Sequence, residues 1–225
     1  MMDASGGSWV SGDPDAFSRI LGLEERVHYE GVVATRNPDG SPHVAAMGFS
    51  VSEGGDAIKL KPHSSSQTGQ NLLSRMCGTL NITTPEYIVE AALDLGVLSL
   101  KTESATRIDA SSLADALAVV EFRVVAVSRD DVWLKTLCRP VGLKYRLVVP
   151  RPYSRSAGCL VEAAVRASRV EPYASMGRVE EARKLLAEAR ELVETASRLG
   201  GAWPLKDLAR VLRDRLSALE GRIGP

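Results

Sequence analysis

The sequence predicts a mainly β protein with short helices: an antiparallel barrel followed by a C-terminal helical extension. Three observations lead there. Runs alternating apolar and polar residues recur over the first 150 residues, separated by Gly, Pro, Asn and Asp. Two of these runs bracket Asn37-Pro38-Asp39-Gly40, a turn signature that pairs them as a hairpin. After Pro150-Arg151-Pro152 the strand signal stops and apolar residues recur at helical spacing. Hairpins imply antiparallel pairing, and closing the sheet removes exposed edges.

The segment MMDASGGSWVSGDPD has acids and glycines where a signal peptide needs a basic end and an apolar core, so it reads as a loose tail. Asp13 caps a short helix, Pro14 suits its first turn and Gly22 stops it. Strands are expected over 27–36, 42–51 and 57–61, with SEGGD turning the chain between the last two. A helix over 68–75, a strand over 78–83 and a helix over 85–95, capped by Thr84, come next. Residues 96–112 carry a mixed pattern with no single assignment. Strands over 119–128, 132–139 and 144–149 complete the barrel.

Helices are expected over 156–169, 179–199 and 205–219. Val179, Ala182, Leu186, Ala189, Val193 and Ala196 form one stripe, and Leu205, Leu208, Leu212, Leu216 and Leu219 another. Joined by GGAWP, the two helices would fold back on each other and bury the stripes, as core or as an oligomer contact. The expected division is a tail with a short helix over 1–25, a barrel over 26–150 and a helical domain over 151–225.

With 28 basic and 28 acidic residues, the 225-residue chain has no net field to draw nucleic acid or an anionic membrane. No run reaches the roughly 18 apolar residues of a membrane span. Cys77, Cys138 and Cys159 show no CxxC or Cys/His spacing, so neither a metal site nor a disulfide framework is expected, and a reducing cytoplasm is the default. Nucleophile elbows, P-loops, HExxH and GxGxxG are missing, and there are three histidines.

The stretch SSSQTGQNLLSRMCGTLNITT, residues 64–84, places hydroxyls and amides around one helix start. Ser66 or Thr68 would cap that helix, and taken alone the residues favour this use. A helix start also offers free N–H groups to an anion, and Ser66, Thr68 and Asn71 would then seat a phosphate.

The order of a strand, an SxTxxNL helix and a GTLNIT strand resembles the FMN-binding split barrels of the flavin reductase-like group. EGVVATRNPDGSPHVAAMGF, SSQTGQNL, LNITTP and SAGCLVEAAVRASR, in that order, are similar to the family named domain of unknown function 447. The resemblance implies an antiparallel split β-barrel of the FMN-binding type, FMN as cofactor, and a homodimer with the flavin near its interface. Carried over by position, it puts Ser66, Thr68 and Asn71 on the phosphate. The backbone of Ala45, Ala46, Met47 and Gly48 would run along the ring, and Asn81, Thr83 and Thr84 would line the ring or ribityl chain. It names no catalytic residue. A flavin-dependent oxidoreductase acting on a small molecule is expected. The alternatives are a flavin-binding carrier or sensor without turnover, and a flavin-free scaffold. Neither nucleic acid nor membrane is expected as a partner.

Overall fold

The computed structural model describes residues 8–148, 154–201 and 203–223. The elements are β1 (Trp9–Gly12), a 3-10 turn (Pro14–Ala16), α1 (Phe17–Leu21), β2 (Tyr29–Arg36), β3 (Pro42–Val51), β4 (Ile58–Leu60), α2 (Gln67–Arg75), β5 (Cys77–Ile82) and α3 (Pro85–Leu93). After these come β6 (Thr102–Ser104), β7 (Ser111–Leu113), β8 (Ala118–Asp130), β9 (Trp133–Arg146), α4 (Arg155–Ser175), α5 (Val179–Leu199) and α6 (Leu205–Ile223). The chain divides into two compact units, residues 1–84 with 100–150 and residues 85–99 with 151–225. Residues 85–99, expected as part of the barrel, thus fall with the helices.

In the first unit six antiparallel strands close in the order β9–β4–β3–β2–β5–β8 and back to β9. Alternation sends Val33 of β2, Phe49 and Val51 of β3, Ile58 and Leu60 of β4, Leu80 of β5 and Phe122 of β8 into one core. Leu72 of α2 and Phe17 of α1 join that core. Each such side chain contributes about 1.5–3 kcal/mol by leaving water. The antiparallel barrel read from the sequence is the fold observed.

Three local readings change. The tail contains β1, which pairs with Leu143–Arg146 of β9. Its hold is the Trp9 ring, with Lys144 Nζ 4.5 Å and Arg146 Cζ 4.2 Å from the centroid. The strands expected over 132–139 and 144–149 are one strand, β9. Phe122 pairs with Pro140 while Glu121 pairs with Gly142, so the strand continues through Pro140 with Val141 as a bulged extra residue. A bulge tolerates a residue that has no N–H to give. The short antiparallel hairpin β6–β7 begins in the mixed stretch 96–112 and ends at Leu113, too brief to leave a periodic signal.

In the second unit the two stripes pack together within the chain: Ala182, Leu186, Ala189 and Val193 share a core with Leu208, Leu212, Leu216 and Leu219. Leu160, Ala163 and Ala167 of α4 complete it. α4 runs to Ser175, past the expected end at 169, with Pro172 in its last turns. Glu90 of α3 is buried, and its carboxylate accepts from the backbone N–H groups of Gly96, Val97 and Leu98 at 2.7–3.0 Å. Among the described residues no helix is long and apolar enough to cross a membrane.

Candidate functional site at the open edge of β3

β3 is ten residues long, but β4 pairs only with its end, Phe49–Val51. On that side the edge over 42–48 has no strand neighbour among the described residues. This is the split in the barrel. β2 takes the other side along the whole length, from Arg36 opposite Pro42 to Tyr29 opposite Phe49. In antiparallel pairing alternate residues turn their N–H and C=O to the same side, so about every second residue of 42–48 presents unpaired groups to the opening.

Ala45, Ala46 and Met47 are half-buried there and Gly48 is exposed. Ala45 lies opposite the core residue Val33, and Met47 packs against the core, so both turn inward. Ala46 and Gly48 therefore face outward. A Cβ at Gly48 would meet nothing closer than the Glu30 carboxylate at 3.5 Å. Over 46–48 the edge is thus lined by small outward residues.

The chain leaves β4 through residues 61–66 and enters α2. Ser66 is the helix cap: its Oγ accepts from Gly69 N–H at 3.1 Å and donates to the His63 carbonyl at 2.7 Å. His63 Nδ1 accepts from Ser65 N–H at 3.2 Å, and the Ser65 hydroxyl lies 2.7 Å from the same nitrogen. The loop folds so tightly onto the helix that a Cβ at Gly69 would stand 2.4 Å from the His63 carbonyl oxygen. Only glycine fits there.

Thr68 is buried, with its Oγ1 3.0 Å from His43 Nε2 near the start of β3. Asn71 is buried too. Its amide donates to Thr35 Oγ1 at 2.9 Å and Asn37 Oδ1 at 3.0 Å, and its carbonyl accepts from Gln67 Nε2 at 2.8 Å. The structure therefore gives the side chains of Ser66, Thr68 and Asn71 structural partners. Gly69 N–H and Gln70 N–H are also taken, by Ser66 Oγ and the Ser66 carbonyl. The N–H groups of Gln67 and Thr68 have no partner among the described residues, as expected in the first turn of a helix. The hydroxyls and amide of the motif are thus engaged within the fold, and the backbone N–H groups of the first helical turn are the donors of this loop that the fold leaves over.

Asn81 is fully buried. Its Nδ2 donates to the Val32 carbonyl at 3.0 Å and Thr79 Oγ1 at 3.0 Å, and its Oδ1 accepts from Leu113 N–H at 2.8 Å. It staples the β6–β7 hairpin to the barrel wall. Thr83 and Thr84 are half-buried just beyond β5, and Thr83 Oγ1 is a buried hydroxyl with no hydrogen-bond partner among the described residues. Arg75 is engaged as well: it pairs with Asp109 at 2.7 Å and donates to the Asn37 carbonyl at 2.7 Å. Burial holds the His43 imidazole below its ordinary pKa, toward the neutral form. Among the described residues no group of three His, Cys, Asp or Glu side chains gathers as a metal site would.

A six-strand antiparallel barrel split beside its third strand, with a helix start at the split and a bundle of C-terminal helices, defines a split β-barrel protein. The sequence pattern of the family described as protein of unknown function (DUF447) N-terminal domain matches residues 29–146, and the chain belongs to that family. Among solved structures, an FMN-bound protein of the same family from Methanosarcina mazei is similar. It is 21% identical, with a TM-score of 0.67 over 88% of this chain and 98% of that one, and shows the same fold. A 2-nitrobenzoate 2-nitroreductase from Pseudomonas fluorescens is 14% identical, with a TM-score of 0.46 over 60% of this chain and 73% of that one. The flavin reductase of the styrene monooxygenase from Pseudomonas putida S12 is 12% identical, with a TM-score of 0.43 over 61% of this chain and 99% of that one. No curated protein matches.

Proposed function

We propose that the chain binds FMN at the split and is a flavin-dependent oxidoreductase for a small molecule, working as a homodimer in the cytoplasm. The observation that carries this reading is the unpaired edge of β3 over 42–48, next to a helix start where the N–H groups of Gln67 and Thr68 have no partner among the described residues. The FMN-bound relative with the same fold supports the choice of ligand.

The residues present fit such a group. The N–H groups of Gln67 and Thr68 and the Ser64 hydroxyl offer donors to a phosphate. The small residues Ala46 and Gly48 let a flat ring approach the strand, and the open edge offers N–H groups to its polar atoms. Thr83 Oγ1, buried with no partner among the described residues, is a further donor for the same ligand. FMN, when bound, supplies hydride chemistry at its N5. The chain then needs no base of its own: it holds the phosphate, orients the ring and limits water.

One observation favours a flavin-free scaffold instead. The side chains of Ser66, Thr68 and Asn71 already have partners within the fold.

A titration separates the two readings. Gln67 is the first helical residue, after Ser66 in an extended conformation, so proline is tolerated there and removes one free N–H. The flavin absorbance bands should shift and saturate when FMN is added to the wild type, and Gln67→Pro should weaken binding about tenfold relative to Gln67→Ala, which loses the same side-chain bond to Asn71 but keeps the N–H. No saturation at tens of micromolar FMN would leave the scaffold. Reoxidation of the bound flavin by candidate acceptors then distinguishes an enzyme from a carrier.

A further inference from the structure

A second feature of the barrel's outer face lies beside the split and is unused by the reading above. Because Ile58 and Leu60 point into the core, Lys59 points out. The register places Ser50, Lys59, Leu137 and Ala126 in one row across β3, β4, β9 and β8. Lys135 stands opposite Ser128 in the next row. These residues line a groove of about 470 Å³ that also reaches His28, Lys61 and Gly48. That volume is in the lower part of the range for small-molecule pockets, room for one ring system rather than a dinucleotide.

The charge in the groove is one-sided. Lys61 and Lys135 share a single carboxylate, Asp130, at 3.3 and 2.9 Å. Lys59 has no ion pair among the described residues, and His28 lines the same groove. The chain as a whole has no net charge, so three lysines around one apolar floor are a local arrangement. Leu137 and Ala126 supply that floor. The Glu30 side chain stands at the Gly48 end.

We infer that this groove binds a small aromatic anion, a carboxylate or a phosphate ester, with its ring on Leu137 and Ala126 and its charge on Lys59. This rests on the FMN reading and deepens it: Gly48 is common to the groove and the open edge of β3, so a molecule here borders the proposed flavin. The groove is then the seat of the small-molecule substrate.

The test is calorimetric titration of the full chain with 2-naphthoate, 1-naphthyl phosphate and uncharged 2-naphthol at neutral pH, with and without FMN. Either or both anions should bind and 2-naphthol should bind at least about tenfold more weakly; whichever anion binds tighter identifies the ligand as carboxylate or phosphate ester. Lys59→Ala should weaken anion binding about tenfold, Lys59→Arg should restore it, and both variants should keep wild-type FMN affinity. Equal binding of 2-naphthol, or an unaffected Lys59→Ala variant, overturns the inference. Loss of FMN binding in Lys59→Ala also overturns it, because the groove would then be the flavin's own seat. A dimer by sedimentation that Lys59→Glu dissociates, in a wild type that binds neither anion, assigns the face to a second copy and overturns it too. If the wild type binds no FMN but shows lysine-dependent anion binding, the FMN reading fails and the groove stands.

Discussion

His43 Nε2 lies 3.0 Å from Thr68 Oγ1, and this bond ties the start of β3 to the first turn of α2. It joins the two elements that border the split. Burial lowers the pKa of His43, so the folded state binds its proton less readily than the unfolded state does. The neutral ring is therefore the form compatible with the fold. Stability from this site is complete above the unfolded pKa of about 6.5 and declines as pH falls below it. Urea midpoints measured from pH 7 to pH 5 should drop in the wild type and drop less in His43→Gln. Equal slopes would show that this imidazole is not responsible.

Asn81 separates a structural amide from a ligand contact. Its three short bonds to Val32, Thr79 and Leu113 are all internal. Removing a buried amide leaves its partners unsatisfied, at about 1–3 kcal/mol. Asn81→Ala should lower the unfolding free energy by about that much, or somewhat more, without FMN present. A variant as stable as the wild type but weak in FMN binding would return Asn81 to the cofactor.

The barrel was legible because its signals are local. Asn37-Pro38-Asp39-Gly40 marks the β2–β3 turn, and alternation marks Pro42–Val51 to the residue. α5 could be read equally well, since its stripe repeats over several turns. What escaped was set by distant partners. β1 exists because Trp9 finds Lys144 and Arg146, more than a hundred residues away. β9 passes through Pro140 because β8 accommodates a bulge. The site divides the same way. The motif at residues 64–71 marks the loop and helix start beside the split, but no sequence signal says that Thr68 will find His43, or Asn71 find Thr35. The lysines of the outer groove lie on β4, β9 and the loop after β4, and only the register brings them together.

The cysteines should be chemically quiet where they are buried. Burial pushes the Cys138 thiol up to about 12 and also raises that of Cys77. A thiol needs its thiolate form and access to react. Cys159 is only half-buried. Titration of the native protein with a thiol-reactive dye at pH 8 should label Cys159 first and Cys77 and Cys138 only on unfolding. Rapid labelling of Cys138 in the native state would mean that the barrel opens locally.

Gly48 gives the sharpest separation of function from stability. Its backbone is ordinary strand, opposite Glu30, and its outward side is open apart from that carboxylate at 3.5 Å from an added Cβ. Glycine within a strand costs about 0.5–1 kcal/mol relative to alanine, through backbone entropy and lost packing. A β-branched residue suits a pleated strand, so Gly48→Val should match or exceed the wild-type melting temperature. Selection for the fold alone would therefore not favour glycine here, whereas a flat ligand lying against the strand would. The variant places two methyl groups on the open edge, and FMN affinity should fall by at least about tenfold. Unchanged FMN binding in a well-folded Gly48→Val protein would move the ring away from this face of β3. A drop in both stability and binding would instead mean that Glu30 cannot yield to the new side chain, and Gly48→Ala, with its single methyl, would then decide between them.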